Sequence, residues 1–541
     1  MTTGYETVVG LLAQVAHAGQ HRGGVILLRD GGQEELRWRD VAALACRAAD
    51  GLARLGIVAG ERVAVAAANS LEWIVADFAI QMLGGVVVPL PLTLSGQQLA
   101  GQLAHSGSRL LVVNGQVVCE KLATVNLPAE LQLIAVEPAL DPRTAAALPL
   151  WSELVSAGNE AAGRQLWQAT RETVRPGTLA SIVYTSGTSG EPRGVMLTQG
   201  NLAANAQDTA SFFHGRKDDC RLNVLPLSHA FGRMSDLYVS LAGNTRLALG
   251  RARETLVADA QQVRPTLLVV VPLILARLRQ AAISQFGASD NQAIQKLLGG
   301  RVRGFICGGA PLTRELHEFF ADQGTPVWEG YGLTEASPVV SASSDQLNKP
   351  GSVGRFLPDT MAQLAEDGEL LISGRQVMAG YWQDANATSE TLCNGWLHTG
   401  DLATIDRDGF LFLHGRKKEF IALASGKKIW PAAIESCFAG DPLIEQIMLV
   451  GEGERALGAL IVPRQREAIA LNSTENRQRF LDHVTLQQAK APAHERIRNV
   501  WLLDEPWTAE REELTPKLTV RRSVILGRYA ESVRRMFASE S

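Results

Sequence analysis

Cysteine is scarce in this sequence, and none of it is arranged to bind a metal. The six cysteines are scattered, without a CxxC pair and without a histidine at the spacing typical of zinc sites. They are Cys46, Cys119, Cys220, Cys307, Cys393 and Cys437. We therefore expect reduced thiols, buried or partly buried, in a cytoplasmic protein.

The sequence also lacks an apolar run long enough to cross a bilayer. Its strongest run, LLVVVPLILA (267–276), contains Pro272 and is typical of a buried strand that leads into a helix. Residues 1–14 do not combine a basic segment with a long apolar core, so no secretory signal is predicted. We expect no membrane span, and peripheral contact with a membrane surface stays open.

Charge of one sign is not in excess either. Lysine and arginine total 52 against 56 aspartate and glutamate residues, so the formal net charge is −4, and no block of like charges occurs. Without a basic patch there is no electrostatic reason to expect a nucleic-acid partner.

What the sequence does contain is an alternation of short apolar segments with longer Ala- and Leu-rich segments. Residues 39–55 have helical periodicity, and residues 62–69 then form an apolar run typical of a strand. This alternation predicts an α/β fold in which helices cover a largely parallel sheet. With 541 residues, the chain is longer than a domain with a single hydrophobic core usually is, so more than one structural unit is expected.

The residue pattern of the sequence changes twice in the last third of the chain. From about residue 345 to 415, short segments closed by Gly and Asp turns predict a small β-barrel-like subdomain. Residues 416–541 then predict a small α+β C-terminal domain. The predicted division is an N-terminal domain of layered α/β subdomains with the β-rich unit, residues 1–415, and a C-terminal domain, residues 416–541.

The most informative segment is IVYTSGTSGEPRGVMLTQGNL (182–202). An apolar strand runs into a segment rich in glycine and hydroxyl side chains that ends at Arg193, and a helical pattern resumes near Asn201. Glycines allow close approach of the backbone to an anion, and hydroxyl and N–H groups donate to phosphate oxygens. The GxxxxGK[ST] pattern is absent, so this predicted phosphate loop is not a Walker A loop.

This segment resembles the YTSGTTGxPKGV signature of the adenylate-forming superfamily, which includes acyl-CoA synthetases, the adenylation domains of peptide synthetases, and luciferases. Ser189 stands where that signature usually has threonine, and Arg193 stands where it has lysine. Arginine keeps the positive charge but is planar and can bind phosphate through two hydrogen bonds.

Four further segments resemble the same superfamily, in its order. They are LPLSHAFGR (225–233), FICGGAPL (305–312), WEGYGLTEASP (328–338) and HTGDLATIDRDGFLFLHGRKKEF (398–420). Each predicted motif follows an apolar strand, so we expect a crevice at the carboxyl edge of a sheet, where open α/β folds bind ligands.

The resemblance implies a role for individual side chains in these segments. His229 would lie beside the carboxylate substrate, Tyr331 would stack on adenine, and Thr334 would contact the α-phosphate. Glu335 would bind Mg²⁺, a hard ion that prefers oxygen ligands, and Asp401 would accept the ribose hydroxyls. The implied ATP- or AMP-binding residues are Thr185, Ser186, Gly187, Thr188, Ser189, Gly190, Arg193, Gly309, Ala310, Pro311, Glu329, Gly330, Tyr331, Gly332, Leu333, Thr334, Asp401 and Arg416.

The implied reaction has two steps, with ATP, Mg²⁺ and coenzyme A. A carboxylate attacks the α-phosphate of ATP to give an acyl-adenylate and pyrophosphate, and a thiol then attacks the acyl carbonyl. In the superfamily the C-terminal domain is mobile: it supplies a lysine for the first step and rotates for the second. Lys418 falls at the hinge position, and Ser425, Gly426 and Lys427 fall on the segment that faces the thiol tunnel.

Several segments resemble fatty acyl-CoA synthetases in particular, namely LPLSHAFGRM, GRKKEF and the LTP run near residue 515. One alternative is a fatty acyl-AMP ligase that passes the acyl group to an acyl carrier protein. The short stretch between Glu335 and Asp401 leaves no room for the insertion usual in those ligases. Another alternative is a non-catalytic acyl or nucleotide binder, because the lysine pattern is altered. Chain length stays open, since VPLILARL (271–278) lacks the Arg-Trp pair of typical long-chain members.

The lysine of the first step is displaced in this sequence. The fatty acyl members have a run like LTPTLKxxR, in which lysine follows proline by three positions, and in this chain that place is Thr519. Lys517 lies two positions earlier, and residues two apart in an extended segment point to the same side. We therefore predict Lys517 as the catalytic lysine, with Arg521 and Arg522 as the alternative cations.

Replacing Lys517 with alanine is expected to lower acyl-adenylate formation by about a hundredfold or more, because a cation at developing negative charge would be lost. Thioester formation from supplied acyl-adenylate should be largely intact. Pyrophosphate release measures the first step, and thioester formation from synthetic acyl-adenylate measures the second. Equal loss in both steps, or in neither, would contradict the assignment.

Overall fold

Short buried strands and amphipathic helices alternate through most of the chain, in the computed structural model as in the sequence pattern. The structure describes residues 6–17, 23–186, 192–213, 215–438, 440–465, 471–489, 491–508, 511, 513–514 and 520–538. Lys517 and residues 187–191 of the predicted phosphate loop lie outside these ranges.

The helices differ widely in length. In chain order they are α1 (Val8–His17), α2 (Trp38–Arg54), α3 (Leu71–Met82), α4 (Gly96–Ser106), α5 (Gln116–Leu122), α6 (Trp151–Ala157), α7 (Glu160–Thr173), α8 (Gln199–Phe212), α9 (Ala230–Gly232), α10 (Val239–Ala242), α11 (Leu256–Val263), α12 (Pro272–Phe286), α13 (Ala293–Leu297), α14 (Arg314–Asp322), α15 (Ala385–Thr391), α16 (Pro431–Ser436), α17 (Thr474–Gln487), α18 (Arg522–Arg528) and α19 (Ala530–Ala538). A π-helical segment, Arg233–Tyr238, joins α9 to α10, and Thr334–Ala336 and Ala493–Glu495 are 3₁₀ turns.

The strands follow the same order. They are β1 (Gly24–Arg29), β2 (Gly32–Arg37), β3 (Arg62–Ala66), β4 (Val86–Pro89), β5 (Leu110–Val113), β6 (Gln132–Ala135), β7 (Leu179–Ser186), β8 (Pro192–Thr198), β9 (Cys220–Asn223), β10 (Arg246–Leu249), β11 (Leu267–Val270), β12 (Gly304–Cys307), β13 (Val327–Gly332), β14 (Val339–Ala342), β15 (Arg355–Phe356), β16 (Met361–Leu364), β17 (Glu369–Ser373), β18 (Gly380–Tyr381), β19 (Leu392–Cys393), β20 (Trp396–Ile405), β21 (Leu411–Arg416), β22 (Ile421–Ala422), β23 (Lys428–Ile429), β24 (Ile444–Val450), β25 (Leu457–Pro463) and β26 (Ile497–Leu502).

Two large sheets organise the first two thirds of the molecule. Sheet A has the order β15-β14-β13-β12-β11-β9-β10-β1-β2, and its strands from β13 to β1 are parallel. Sheet B has the order β18-β8-β7-β4-β3-β5-β6, parallel from β7 to β6. Helices α1, α2, α3 and α8 pack with residues of both sheets in one hydrophobic core. The predicted α/β layers are therefore confirmed.

The parallel strands are buried because helices cover both faces of their sheets. All four residues of β11 are buried, and Pro272 then begins α12, where its fixed φ and missing N–H are tolerated. The prediction that this apolar run is a buried strand leading into a helix is confirmed. Among the described residues, no helix combines the length and the apolar character that crossing a membrane requires.

A third sheet, which we call the half-barrel, contains β16, β17, β20 and β19, with β21 paired to β20. Alternate residues along β20 are buried, as expected of a strand with one face in a core. The C-terminal region has its own sheet, β24-β25-β26, and its own apolar clusters. The predicted fold class, a large α/β domain with a small β subdomain and a C-terminal domain, is confirmed; the border after residue 415 stays a prediction.

Two local expectations need correction. Between the predicted phosphate loop and α8 lies a strand that we did not predict, β8, which pairs antiparallel with β7; its proline and glycine obscured the strand pattern. In addition, Cys437 is exposed, although we expected buried or partly buried thiols. The other five cysteines agree with that expectation, and all six are free thiols.

Candidate active site

The carboxyl ends of β12 and β13 bring two of the motif segments together. After β12 the chain turns through Gly308 and Gly309, and Gly309 has a φ of 84°, which favours glycine. A Cβ on Gly308 would lie 3.1 Å from the carbonyl oxygen of Gly330 and 3.2 Å from the Phe231 ring. The turn therefore packs closely against β13 and against the His229 segment. Ala310 and Pro311 follow on its exposed side.

Strand β13 carries the residues implied in adenine binding. Tyr331 is buried, and Gly332 has no space for a side chain, because a Cβ there would lie 1.9 Å from the Pro338 carbonyl oxygen. Burial raises the pKa of the Glu329 carboxyl to about 7. The strand pairs with β14 from Gly330 onward, and Leu333 is half-buried beyond its end.

A buried carboxylate joins β13 to the half-barrel. The Tyr331 hydroxyl donates to Asp401 Oδ2 at 2.5 Å, and Arg416 Nε lies 2.8 Å from Asp401 Oδ1. Burial raises the pKa of Asp401, and Arg416 acts in the opposite direction. Each carboxylate oxygen has more than one lone pair. Asp401 can therefore keep these partners and still accept a hydroxyl group from a ligand.

A second group links the predicted metal ligand to the predicted phosphate-binding arginine. The Tyr381 hydroxyl donates to Glu335 Oε1 at 3.0 Å, and the Arg193 guanidinium lies 5.4 Å from the centre of the Tyr381 ring. Arg193 Nε is also 3.8 Å from Asp384 Oδ2. Thr334, next to Glu335, is buried. The structure thus places Arg193 over the ring of Tyr381 and Glu335 at its hydroxyl group.

Tyr381 is a site residue that the sequence analysis missed. It lies in the two-residue strand β18, which pairs with β8, so that Tyr381 is opposite Val195. The only signal in the sequence was a tyrosine after a glycine in a turn-rich stretch, and such a signal does not identify a partner of Glu335. The pairing of β18 with the strand behind the phosphate loop could be seen only in the fold.

The donor set around Glu335 is suited to Mg²⁺ that is bound mainly by ATP. Among the described residues there is no cluster of three or more His, Cys, Asp or Glu side chains able to hold a metal ion. Mg²⁺ in nucleotide sites uses one or two carboxylates together with phosphate oxygens and water. A single carboxylate, oriented by a tyrosine hydroxyl, fits this arrangement.

His229 lies at the start of the helical turn α9, where it is half-buried. Its N–H donates to the carbonyl oxygen of Pro226 at 3.1 Å, and its own carbonyl oxygen accepts from Arg233 N–H at 3.0 Å. Two residues later, Phe231 packs close to the Gly308 turn. The structure therefore places the predicted acid-binding segment beside the predicted adenine-binding turn.

Some predicted site residues lie outside the described ranges. Gly187, Thr188, Ser189 and Gly190 belong to this group, as does Lys517. Of the flanking residues, Thr185 is opposite Arg193 in the β7–β8 pair, and Ser186 ends β7. The roles of the loop residues and of Lys517 stay predictions.

The remaining predicted residues lie on exposed turns of the C-terminal region. Lys418 is exposed in the turn after β21, and the preceding Lys417 pairs with Asp367 and Glu369 at 2.5 and 2.9 Å. Ser425, Gly426 and Lys427 form the exposed turn between β22 and β23. The alternative cation Arg522 lies 2.6 Å from Glu435 and also donates to the Leu449 carbonyl oxygen. Its guanidinium is thus held inside the C-terminal region.

Two family models match this chain. One, described as AMP-binding enzyme, matches residues 15–382, and one, described as AMP-binding enzyme C-terminal domain, matches residues 418–541. The chain belongs to the AMP-binding enzyme family. The resemblance stated from the motifs is therefore confirmed, and this AMP-binding enzyme is a member of the AMP-forming acid–thiol ligases.

Named relatives agree with this membership, and a solved structure shares the fold. The AMP-binding enzyme is 31% identical to the long-chain-fatty-acid–CoA ligase FadD15 of Mycobacterium bovis, over 93% of each chain. It is 25% identical to the long-chain-fatty-acid–[acyl-carrier-protein] ligase AEE15 of Arabidopsis thaliana, over 91% of this chain and 81% of that protein. Its fold is similar to that of o-succinylbenzoate coenzyme A synthetase from Bacillus subtilis in complex with ATP and magnesium ion, with a TM-score of 0.73, 23% identity, and coverage of 92% and 97% of the two chains.

Replacing Tyr381 with phenylalanine tests the link between Glu335 and the phosphate side of the site. The ring under Arg193 is kept, but the hydrogen bond to the Glu335 carboxylate is lost, which costs about 1.5–3 kcal/mol for a charged acceptor. We expect the Mg²⁺ concentration for half-maximal pyrophosphate release to rise about tenfold or more.

Tyr184→Phe is the matched control, because the Tyr184 hydroxyl contacts His105 and the Gln102 carbonyl oxygen instead. The two variants should differ in their Mg²⁺ requirement while the control resembles wild type. An unchanged Mg²⁺ dependence in Tyr381→Phe would contradict the role of this tyrosine.

Proposed function

We propose that this AMP-binding enzyme activates a fatty acid as an acyl-adenylate, with release of pyrophosphate, and transfers the acyl group to coenzyme A. The observation that carries the proposal is 31% identity, over 93% of both chains, with a protein named as a long-chain-fatty-acid–CoA ligase. The contacts among Tyr331, Asp401 and Arg416 support nucleotide binding at the edge of sheet A.

The first step forms a bond between a carboxylate oxygen and the α-phosphorus of ATP, and breaks the bond from that phosphorus to pyrophosphate. Two anions must approach each other, so positive charge at the phosphates lowers the barrier. Arg193 stands beside the predicted phosphate loop and can neutralise part of this charge. Glu335 would hold Mg²⁺, which would supply further positive charge at the phosphates.

An apolar cluster beside the His229 segment supports a fatty acid as the carboxylate. Phe213 and Trp328 are buried there, with ring centres 6.0 Å apart, and Ile306 and Val269 belong to the same cluster. Phe231 packs against this cluster from the acid-binding segment. Val271 and Ile274 are likewise partly exposed on this cluster. A hydrocarbon chain that covered this exposed apolar surface would gain about 25 cal/mol per Å².

A second acceptor has one observation in its favour. The plant relative AEE15 is named for an acyl-carrier-protein acceptor, and it matches 91% of this chain. The short segment between Glu335 and Asp401 supports coenzyme A instead, because the insertion usual in acyl-AMP ligases is absent. Free coenzyme A is therefore our first choice of acceptor, and a carrier protein is the second.

Pyrophosphate release with ATP, Mg²⁺ and saturated fatty acids of increasing chain length tests the proposal directly. We expect release that depends on the fatty acid, and little release with aryl acids of similar acidity, because the apolar cluster favours a hydrocarbon chain. Thioester formation is then measured with coenzyme A and, separately, with an acyl carrier protein. Pyrophosphate release with aryl acids alone would contradict a fatty acid as the substrate. The absence of release with any of the carboxylates would favour a non-catalytic binder.

Replacing Lys418 with proline tests the proposed hinge. Proline fixes φ and removes the N–H group, so rotation about this residue should be hindered while the first step is spared. We expect pyrophosphate release in a single turnover to be nearly normal, and thioester formation to fall at least about tenfold if the rotation limits it. Lys417→Ala is the neighbouring control. Equal slowing of both steps in Lys418→Pro would contradict a hinge role.

A further inference from the structure

The helix that follows His229 has an unusual interior. Between α9 and α10, residues Arg233–Tyr238 form a π-helical segment in which every residue is buried. π-helical turns are rare and are found often at functional sites. Polar contacts hold this segment in place, beginning with those of its charged first residue, Arg233.

Arg233 is buried and makes polar contacts with two other elements. Its Nη2 atom donates to Asp77 Oδ1 of α3, and its Nη1 atom donates to Ser181 Oγ of β7 at 2.8 Å. The guanidinium also lies 5.6 Å from the Trp73 ring and 5.2 Å from the Tyr238 ring. We call Asp77, Ser181, Arg233 and Tyr238 the Arg233 cluster.

Asp77, the acidic member of the Arg233 cluster, is fully buried and accepts hydrogen bonds from several donors. The Tyr238 hydroxyl donates to Asp77 Oδ2 at 2.8 Å, and Gln81 Nε2 donates to the same oxygen at 3.1 Å. Gln81 Oε1 in turn accepts from Gln199 Nε2 at 3.0 Å. The network therefore extends from the π-helical segment to the first residue of α8.

The elements that meet at Arg233 lead directly to the two halves of the proposed site. Ser181 lies four residues before Thr185, where the predicted phosphate loop begins. In the other direction, the N–H of Arg233 donates to the His229 carbonyl oxygen at 3.0 Å. One residue thus connects, through its side chain and its backbone N–H, the strand behind the predicted phosphate loop with the turn that carries the predicted acid-binding histidine.

The same turn is held from its other side by two asparagines. Asn69 follows β3 of sheet B, and its side chain donates to the Leu225 carbonyl oxygen at 2.8 Å and accepts from Leu227 N–H at 2.8 Å. Asn223 ends β9 of sheet A and donates to the same carbonyl oxygen and to Asp236 Oδ2, at 2.9 and 2.8 Å. The segment before His229 is therefore fixed to both sheets.

Stability alone does not account for a buried ion pair at this place. Removing two charges from water costs several kcal/mol per ion, and apolar residues of similar volume often stabilise a protein as well or better. The ion pair does supply directional contacts: the planar guanidinium can donate to α3 and β7 at the same time only in one orientation. Such contacts fix relative positions, which is what a reaction between two bound substrates needs.

We infer that Arg233 is a positioning residue for acyl-adenylate formation. Through Ser181 and Asp77 it sets the position of the His229 turn relative to β7, and hence of the acid relative to the α-phosphate. The inference rests on the proposed function, in which these two groups react. Each substrate would still bind in its own half without Arg233, but the two would be poorly aligned.

The main experiment compares two double variants that each remove both charges of an ion pair whose carboxylate is buried. Asp77→Asn/Arg233→Met removes the pair of the Arg233 cluster. Asp219→Asn/Arg303→Met removes a bidentate pair, with contacts of 3.0 and 2.8 Å, at the amino ends of β9 and β12, the strand ends opposite those that carry the proposed site. Ser181→Ala is a milder third variant that leaves both charges of the cluster in place.

For the Arg233 cluster we expect kcat for pyrophosphate release to fall about 10- to 100-fold, while KM for ATP and for the acid changes by less than about threefold, as for a loss of alignment. Ser181→Ala should show the same pattern at smaller size. The control double variant should have a lower melting temperature and a wild-type kcat. Arg233→Lys should have a melting temperature closer to wild type than the double variant, because it keeps the positive charge. Its kcat should stay low, because lysine lacks the planar guanidinium that donates to two elements at once.

Wild-type kcat in the folded Asp77→Asn/Arg233→Met and Ser181→Ala variants would overturn the inference, as would an equal fall in kcat in the control. The rates are measured with whichever carboxylate the wild-type protein uses best. A preference for aryl acids therefore contradicts the fatty acid proposal without affecting this test.

Hydrogen exchange provides a readout that needs no turnover. Amides of residues 179–186 and 225–231 should exchange at least about tenfold faster in Asp77→Asn/Arg233→Met than in wild type, since local opening becomes easier there. The same amides should keep their protection in Asp219→Asn/Arg303→Met. Unchanged protection of both segments in the first variant would overturn the inference even for a protein that releases no pyrophosphate.

Discussion

The geometry of the predicted nucleotide side of the site depends on the contacts of one buried carboxylate, that of Asp401. A carboxylate removed from water needs partners with good geometry, or its burial costs several kcal/mol. Its partners come from two places: Tyr331 from sheet A and Arg416 from the half-barrel. Satisfying this one charge therefore requires the half-barrel to dock against the end of β13. Next to Asp401 in β20, the Gly400 carbonyl oxygen accepts from the N–H of Lys417, the residue that follows β21.

Tyr381 makes corresponding contacts on the predicted phosphate side. It lies on β18, which extends sheet B, but its hydroxyl reaches Glu335 at the end of sheet A. The Met378 N–H donates to the Glu335 carbonyl oxygen at 2.8 Å, so the same short segment holds both the backbone and the side chain of Glu335. The two sheets thus contribute different chemistry to the predicted site, Arg193 and the Tyr381 hydroxyl from sheet B and a carboxylate from the end of sheet A, and these groups come together where the edges of the sheets meet.

The fold class and the positions of the motif segments could be predicted from the sequence because those signals are local. An apolar run such as residues 267–270, or a glycine turn after a strand, is recognised within a few residues.

The contact between Tyr331 and Asp401 joins residues 70 positions apart, and only the resemblance to a family suggested that both belong to one site. Tyr381 and β8 gave no such signal, because pairing between short edge strands depends on tertiary structure. The π-helical segment was missed for a related reason: its polar residues Arg233 and Asp236 interrupt the apolar pattern, and burial of charge is visible only with its partners in place.

These missed features have a common physical character. Apolar packing tolerates many substitutions of similar volume and specifies position loosely, whereas a buried charge with two or three directional partners allows only one arrangement. In this molecule such buried or half-buried groups occur where separate elements must hold a fixed relation: Asp401 joins the half-barrel to sheet A at the predicted ribose side, Glu335 with Tyr381 joins sheets A and B at the predicted phosphate side, and Arg233 joins α3 and β7 behind the predicted acid-binding turn. A reaction that joins two separately bound anions gains little from tighter binding of either one and much from their alignment. Polar groups buried at the junction of the sheets meet that requirement in a way that a purely apolar junction would not.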